Sequence, residues 1–144
     1  MKIVKQNLKA VLCALLGALT LFAAVSCQNK EKSVKATVEV VNETTVVISV
    51  EECSGGATLL DAMESLKKAE ELDFSLSAGM VTEIGGKENG ANSYWMLYTS
   101  DADFSNTAWG TVDYEGQTLG SAILGAEALK VSAGKIYLWS YQSF

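Results

Sequence analysis

Apolar and polar residues alternate strictly from Val34 to Val40, which is the pattern of a strand with one buried face. The pair Asn42-Glu43 can form a turn, and the β-branched run Thr44–Val50 predicts the second strand of a hairpin. A further alternating run, Lys135–Gln142, predicts the last strand of the chain. Its apolar positions divide between two faces, with Ile136 and Leu138 on one and Tyr137, Trp139 and Tyr141 on the other.

The period of the apolar positions changes to that of a helix after Gly55-Gly56. Thr58 and Asp61 have the spacing of a capping box, which satisfies the first amide groups of a helix. Apolar residues then recur on one helical face. They are Leu59, Met63, Leu66 and Ala69. We therefore expect a helix over 58–72 with this face buried on a sheet.

The densest aromatic run, Ser93–Thr99, lies between turn-forming residues and predicts a central strand. One of its faces carries Tyr94, Met96 and Tyr98, and the other carries Trp95 and Leu97. Another strand is expected just before it, at Met80–Ile84. The segment Ser100–Gly125 shows no clear period, so it is interpreted as a long loop that either serves a function or contains short strands.

Two hairpin strands, a crossing helix and then more strands are the element order of an α+β, β-grasp-like fold. We expect one helix packed on a mixed or antiparallel sheet of about four to six strands. The helix would cover one face of this sheet and leave the other partly open. If the rings of the last strand lie beside Tyr94 and Tyr98, the open face carries an aromatic patch.

The first 26 residues have the character of a cleaved export signal. Lys2, Lys5 and Lys9 precede an apolar stretch, Ala10–Ala23, that is shorter than the about 20 residues of a membrane-spanning helix. A retained anchor helix is the alternative. The expected organisation is a signal at 1–26, a tether at 27–33 and a folded domain at 34–144.

The signal ends in Ala24-Val25-Ser26-Cys27, which resembles the bacterial lipobox. The resemblance implies a lipid on Cys27, the new N-terminus after cleavage. The two acyl chains of a diacylglycerol there would hold the protein stably on a membrane. It also implies that the protein is a lipoprotein of the cell envelope with its domain outside the cytoplasm.

The composition excludes several classes of function. The chain has 17 acidic residues against 11 lysines, a net charge of −6 and no arginine, so we expect no nucleic acid partner. Without histidine, Ser-His-Asp triads and most zinc sites are unavailable. Cys53 is interpreted as structural, and no metal site or catalytic residue is predicted.

Acidic pairs leave two alternatives open. Asp101 and Asp103 begin like a calcium loop, but Asn106 stands where such a loop requires glycine, so a solvated acidic loop is the preferred interpretation. They and the pair Asp113 and Glu115 are also candidates for acid–base work, although no apolar surroundings are evident that would separate their pKa values. The chain is therefore expected not to be an enzyme.

Four segments taken in order resemble the transcobalamin-like C-terminal domain family. They are Thr58–Met63, Gly79–Gly86, Asn92–Tyr98 and Gly134–Trp139. The resemblance implies a β-grasp domain and, among ligands, a corrinoid such as cobalamin. It implies no other cofactor. In vertebrate carriers a large α-barrel precedes this domain, and we expect no counterpart of it in this sequence.

The expected function is therefore a non-enzymatic, lipid-anchored surface module that binds a flat or sugar-like ligand through aromatic side chains. Trp109 is the first candidate, because it lies in the long segment. Six further candidates are Trp139, Tyr94, Tyr98, Tyr137, Tyr141 and Trp95. The alternative is a structural module that docks onto another surface protein through an exposed strand edge.

Overall fold

The computed structural model describes residues 31–144. Within them, Lys32–Phe144 form a unit with its own buried core. The expected signal at 1–26, its Cys13 and the expected lipid site Cys27 lie outside the described residues. No helix of the described part is long and apolar enough to cross a membrane.

Nine strands and one α-helix make up the regular structure of the described residues. They are β1 (Ser33–Asn42), β2 (Thr45–Ser54), α1 (Leu59–Lys68), β3 (Phe74–Ser77), β4 (Met80–Ile84), β5 (Lys87–Glu88), β6 (Ser93–Thr99), β7 (Ser105–Tyr114), β8 (Gln117–Ala122) and β9 (Ile136–Ser143). A short 3₁₀ helix, Ala102–Phe104, precedes β7.

The strands form two separate antiparallel sheets. The larger has six strands in the order β1-β2-β9-β6-β8-β7, and the smaller has three in the order β3-β4-β5. The prediction of an α+β, β-grasp-like domain is therefore wrong. Most of the described residues that have regular structure are in strands. The small sheet and the helix both pack against the large sheet, in one common core. Element order alone did not reveal this, because residues after the helix build a second sheet.

Two of the strands that were not predicted individually lie in Ser100–Gly125, the segment interpreted as a long loop that serves a function or contains short strands. β7 and β8 form a hairpin whose turn, Glu115-Gly116, has positive φ at both residues (47° and 77°). Two such residues match the twist of a tight hairpin. The strands escaped notice because Gly, Ser, Thr and Asn interrupt their apolar pattern.

The helix begins as predicted and ends early. The Thr58 side chain accepts from the Asp61 amide, and the Asp61 carboxylate accepts from the Thr58 amide, 2.8 Å away. This last bond is the main reason why the pKa of Asp61 lies below its usual value. α1 stops at Lys68, because the chain turns at Ala69 and then at Glu70, where φ is 62°.

Both faces of the six-stranded sheet are buried at its centre. One face packs against α1 and the small sheet and includes Ile48, Trp95, Leu97, Tyr137 and Trp139. The other face carries a smaller core formed by Val47, Tyr98, Leu119 and Leu138. Tyr114 at the β7 edge donates to Glu39 at the β1 edge, with 2.7 Å between Tyr114 Oη and Glu39 Oε2. The sheet is thus curled enough for its two edge strands to touch.

Candidate functional site

Strand pairing places the predicted aromatic residues on opposite faces of the sheet. β6 pairs with β9 so that Trp95 lies opposite Tyr141 and Leu97 opposite Trp139. Tyr137, Trp139 and Tyr141 therefore share the face that packs toward α1, whereas Tyr94 and Tyr98 belong to the other face. The expectation of one open aromatic patch that combines both sets is wrong. The parity of the β6–β9 register decides this.

The candidates also differ in exposure. Trp95 and Trp139 are 5% and 4% exposed, and Tyr98 and Tyr137 are buried as well. The Tyr137 hydroxyl accepts from the Ser132 amide at 2.9 Å, and burial raises the pKa of Tyr137 to about 12. The Tyr98 hydroxyl accepts from Gln142 Nε2 at 2.9 Å. These two tyrosines serve the core.

Two candidates are surface residues. Trp109 is 66% exposed, in the part of β7 where pairing with β8 is interrupted. Tyr94 is also exposed and lies 6.4 Å from the ring of Phe144. Neither lines the aromatic-walled pocket described below.

The aromatic-walled pocket has a volume of about 260 Å³ and opens between the two sheets. We call it the tryptophan pocket. Its walls come from β4, β6, β9 and the segment after β8. The lining residues that matter here are Met80, Val81, Trp95, Leu97, Ala122–Ala126 and Trp139. Two of the seven predicted aromatics, Trp95 and Trp139, thus meet at one concave site.

Trp95 is held in place by Lys87 of the small sheet and by Tyr141 of β9 in the large one. Its indole Nε1 donates to the Lys87 carbonyl at 2.8 Å, and its ring meets Tyr141 edge-on, with 5.3 Å between centroids. The Lys87 ammonium lies 4.7 Å from the centre of the Tyr141 ring, within cation–π range. These contacts fix one wall of the pocket.

Asn89 joins the small sheet to the large one. Its side-chain oxygen accepts from the Trp95 amide at 2.9 Å, and its side-chain nitrogen donates to the Val81 carbonyl at 3.0 Å. The Asn89 amide also donates to the Thr82 carbonyl. One side chain therefore sets the separation of β4 and β6, the two strands on either side of the pocket.

The rim of the tryptophan pocket is apolar and exposed. Met80 is 63% exposed, and Ile123 and Leu124 are exposed as well. The β3–β4 turn closes one end, since a side chain at Gly79 would come within 2.7 Å of Glu127 Oε2. None of these rim residues was predicted from the sequence to belong to a site. The available signal was Ile123-Leu124, an apolar pair in a stretch of small residues.

The indole N–H of Trp139 is buried without a hydrogen-bond partner within the described part of the chain. A buried donor without a partner costs about 1–3 kcal/mol of stability. The otherwise similar Trp95 has no such penalty, because its Nε1 is bonded.

This difference predicts unequal effects of the same substitution. Trp95→Phe removes a made hydrogen bond, whereas Trp139→Phe removes an unpaired donor, and each leaves a comparable void. We expect Trp95→Phe to lower the free energy of unfolding by about 1–3 kcal/mol more than Trp139→Phe. Urea unfolding of both variants measures the difference. Equal losses would show that the Trp139 nitrogen is satisfied in solution.

A second cleft, of about 420 Å³, lies between the start of β1 and α1. Its lining is mostly charged or hydroxyl-bearing and includes the ion pair of Lys32 and Asp61, 3.7 Å apart. No aromatic side chain lines it. The larger opening thus lacks the walls that would hold a flat or apolar group.

The predicted acidic sites have structural roles. Asp101 is buried and caps the 3₁₀ helix, with its Oδ1 accepting from the Asp103 amide at 3.1 Å. Asp113 accepts from the Thr118 hydroxyl across the β7–β8 hairpin at 2.7 Å. Within residues 31–144 no three His, Cys, Asp or Glu side chains are grouped so that they could hold a metal ion.

The comparisons with known proteins give one result. Residues 56–113 match a family model described as "Domain of unknown function (DUF4430)". This span runs from just before α1 almost to the end of β7, so it contains the small sheet, Asn89 and Trp95. No curated protein matches the chain significantly, and neither does any solved structure.

Proposed function

We propose that this protein is a non-enzymatic ligand-binding module whose site is the tryptophan pocket. The observation that carries the proposal is the meeting of two tryptophans and an exposed apolar rim at one concave place. Small-molecule sites in proteins are typically concave and lined by apolar and aromatic groups. Trp109, the surface residue first expected to bind, does not line this pocket.

The size of the pocket limits what it can hold. At about 260 Å³ it lies below the about 300–1,000 Å³ of sites for drug-sized ligands. It therefore accepts one ring or a short branched chain. A corrinoid, the ligand that the transcobalamin-like resemblance implies, is far larger, so it would insert only an edge or an apolar substituent while its body rests on Met80 and Leu124.

The proposed setting is the cell envelope. The match at 56–113 supports the transcobalamin-like resemblance in its coarse form, as a family of unknown function. The lipobox-like sequence ending in Cys27 supports a lipid anchor, with the domain held outside the cytoplasm on a short tether. An anchored module of this kind would keep a captured ligand at the membrane.

Tryptophan fluorescence tests the proposal. In a Trp109→Phe background, the remaining emission comes from the two tryptophans of the pocket. Titrating residues 32–144 with the ring compound 1-naphthol is expected to give a saturable change. A parallel titration with cobalamin, corrected for its absorbance, tests the corrinoid. Saturation by naphthol alone would exclude a corrinoid as the ligand. Saturation by neither compound would exclude the tryptophan pocket as a binding site.

The matched control fills the pocket. Ala122 lines it and is only partly buried, so Ala122→Leu adds bulk at the site with a modest expected effect on folding. This variant should unfold in urea close to the parent and lose the saturable change. Retention of the full change in Ala122→Leu would place binding elsewhere.

A further inference from the structure

The side chains that line the tryptophan pocket are almost free of polar atoms. Apart from two indole nitrogens they carry only hydrocarbon groups and the sulfurs of Met80 and Met96, which are weak acceptors. The Trp95 nitrogen is already used, since it donates to the Lys87 carbonyl at 2.8 Å. The Trp139 nitrogen is buried and has no partner among residues 31–144. Within this lining, one strong side-chain donor therefore remains unused, and there is no strong side-chain acceptor.

The place of Trp139 in the sheet explains why its donor lacks a partner. β9 lies between β2 and β6, so Trp139 has Val46 on one side and Leu97 on the other. Both neighbours have hydrocarbon side chains, and their backbone groups belong to the strand ladders. The Trp139 side chain leaves the sheet on the face of the core that includes Trp95. A molecule that enters the pocket can therefore supply the acceptor that the neighbouring strands lack.

The charge around the pocket limits the ligand further. No lysine, aspartate or glutamate is among the residues that line it. An anion bound there would have no cation beside it, in a chain with a net charge of −6. A cation would have no carboxylate in the lining to pair with. Because burying an unpaired charge costs much more than burying a hydrogen-bonded neutral group, an uncharged ligand is favoured.

We propose that the ligand of the tryptophan pocket is an uncharged molecule in which a carbonyl or ether oxygen adjoins an apolar ring or branched chain, and that this oxygen accepts a hydrogen bond from Trp139 Nε1. The proposal deepens the function proposed above and depends on it. Trp139 would select for the oxygen, whereas Trp95, whose donor is already bonded, would supply only ring surface. Pairing a buried donor corresponds to about 5–150-fold in affinity.

Access to the Trp139 nitrogen requires a side chain of the wall to move, because the nitrogen itself is buried. Met80 can move easily, since it is 63% exposed and has an unbranched, flexible side chain. The backbone of the opposite wall is fixed, because the Ala126 carbonyl accepts from the Leu60 amide at 2.9 Å. Movement of side chains at the rim, with both sheets in place, would thus admit the ligand oxygen.

Two compounds of the same shape separate the oxygen from the rest of the ligand. Acetophenone has a carbonyl oxygen where α-methylstyrene has a CH2 group. Each is titrated into residues 32–144, and the indole signals are followed in a nitrogen–proton spectrum. Both compounds should saturate. Acetophenone should move the Trp139 indole proton downfield, as a new hydrogen bond does, and α-methylstyrene should not. The Trp139 signal is assigned in the parent protein through its nuclear Overhauser contacts, so this readout needs no variant.

The affinity ratio of the two compounds provides the second readout. They differ in hydration, but this difference cancels when their ratio of dissociation constants is compared between the parent and Trp139→Phe. We expect Trp139→Phe to reduce the relative preference for acetophenone by about fivefold or more. Trp109→Phe is the matched control, because it makes the same change on an exposed residue outside the pocket. It should leave the ratio unchanged.

Benzoate tests the expectation of an uncharged ligand. It has the ring of acetophenone and two acceptor oxygens, but it is an anion at pH 7. It should bind at least about tenfold more weakly than acetophenone, because its charge would be buried without a partner. Equal or tighter binding of benzoate would overturn the uncharged class of ligand.

The outcomes distinguish this ligand class from the pocket itself. Saturation by neither acetophenone nor α-methylstyrene would overturn the proposed pocket and the ligand class with it. Saturation by both compounds, without a downfield shift of the Trp139 proton or with an affinity ratio that folded Trp139→Phe leaves unchanged, would keep the pocket and overturn the hydrogen bond. A downfield shift specific to acetophenone, together with the reduced ratio, supports the proposal.

Discussion

Leu119→Ala is expected to lower the free energy of unfolding by about 2–5 kcal/mol. Leu119 is fully buried, on the face of the six-stranded sheet that lies away from α1. It packs there with Val47, Tyr98 and Leu138. Removing its side-chain methyl groups loses the free energy of their burial and leaves a void. The void stays open because the two edge strands are joined through Tyr114 and Glu39 and cannot move together to fill it.

This prediction distinguishes the observed architecture from the β-grasp expectation, in which that face is partly open. On an open face, Leu119→Ala would change the free energy of unfolding only as much as a surface substitution does, within about 0.5 kcal/mol. Ile123→Ala provides the control, because Ile123 is exposed and loses a similar amount of aliphatic side chain. Urea unfolding measures both. Equal, small losses would mean that the second core does not form.

Asn89→Ala is expected to lower the free energy of unfolding by about 1–3 kcal/mol and to abolish binding at the tryptophan pocket. The substitution removes the acceptor of the Trp95 amide and the donor to the Val81 carbonyl. The cost arises because those two backbone groups lose their partner in a part-buried place. Binding is lost because β4 and β6 no longer keep their separation.

The control for this prediction is Asn92→Ala. Asn92 is exposed just before β6, and its backbone carbonyl accepts from the Phe144 amide, a bond that the substitution keeps. It should unfold with the parent and bind like the parent. Hydrogen exchange adds a local readout, since Asn89→Ala should lose protection first in β4 and β5. Unchanged protection there would show that other contacts hold the small sheet.

Local signals in the sequence predicted local structure well. Strict alternation gave β1, the aromatic run between turn residues gave β6, and the capping pair Thr58 and Asp61 gave the start of α1. In each case residues close in sequence supply the stabilising contacts, so the pattern carries the information. Met80–Ile84 was predicted with the bounds that β4 has.

Non-local pairing escaped prediction. β9 inserts between β2 and β6, and its register with β6 sends Tyr137, Trp139 and Tyr141 beneath the helix. Nothing in either strand alone fixes that parity. The tryptophan pocket has the same origin, because Met80, Trp95, Leu124 and Trp139 come from four separated segments that meet only when the two sheets pack. The tryptophans could be predicted from the sequence as candidates, but the pocket that they form could not.

The most direct measurement of the central claim uses the three indole N–H signals of residues 32–144, one from each tryptophan. Each signal is assigned in a nitrogen–proton spectrum by its loss in a Trp→Phe variant, and the domain is then titrated with 1-naphthol. The signals of Trp95 and Trp139 are predicted to shift together and to saturate at the same ligand concentration, while that of the exposed Trp109 stays in place. Shifts confined to Trp109, or no saturable shift at all, would contradict a ligand site between the two sheets.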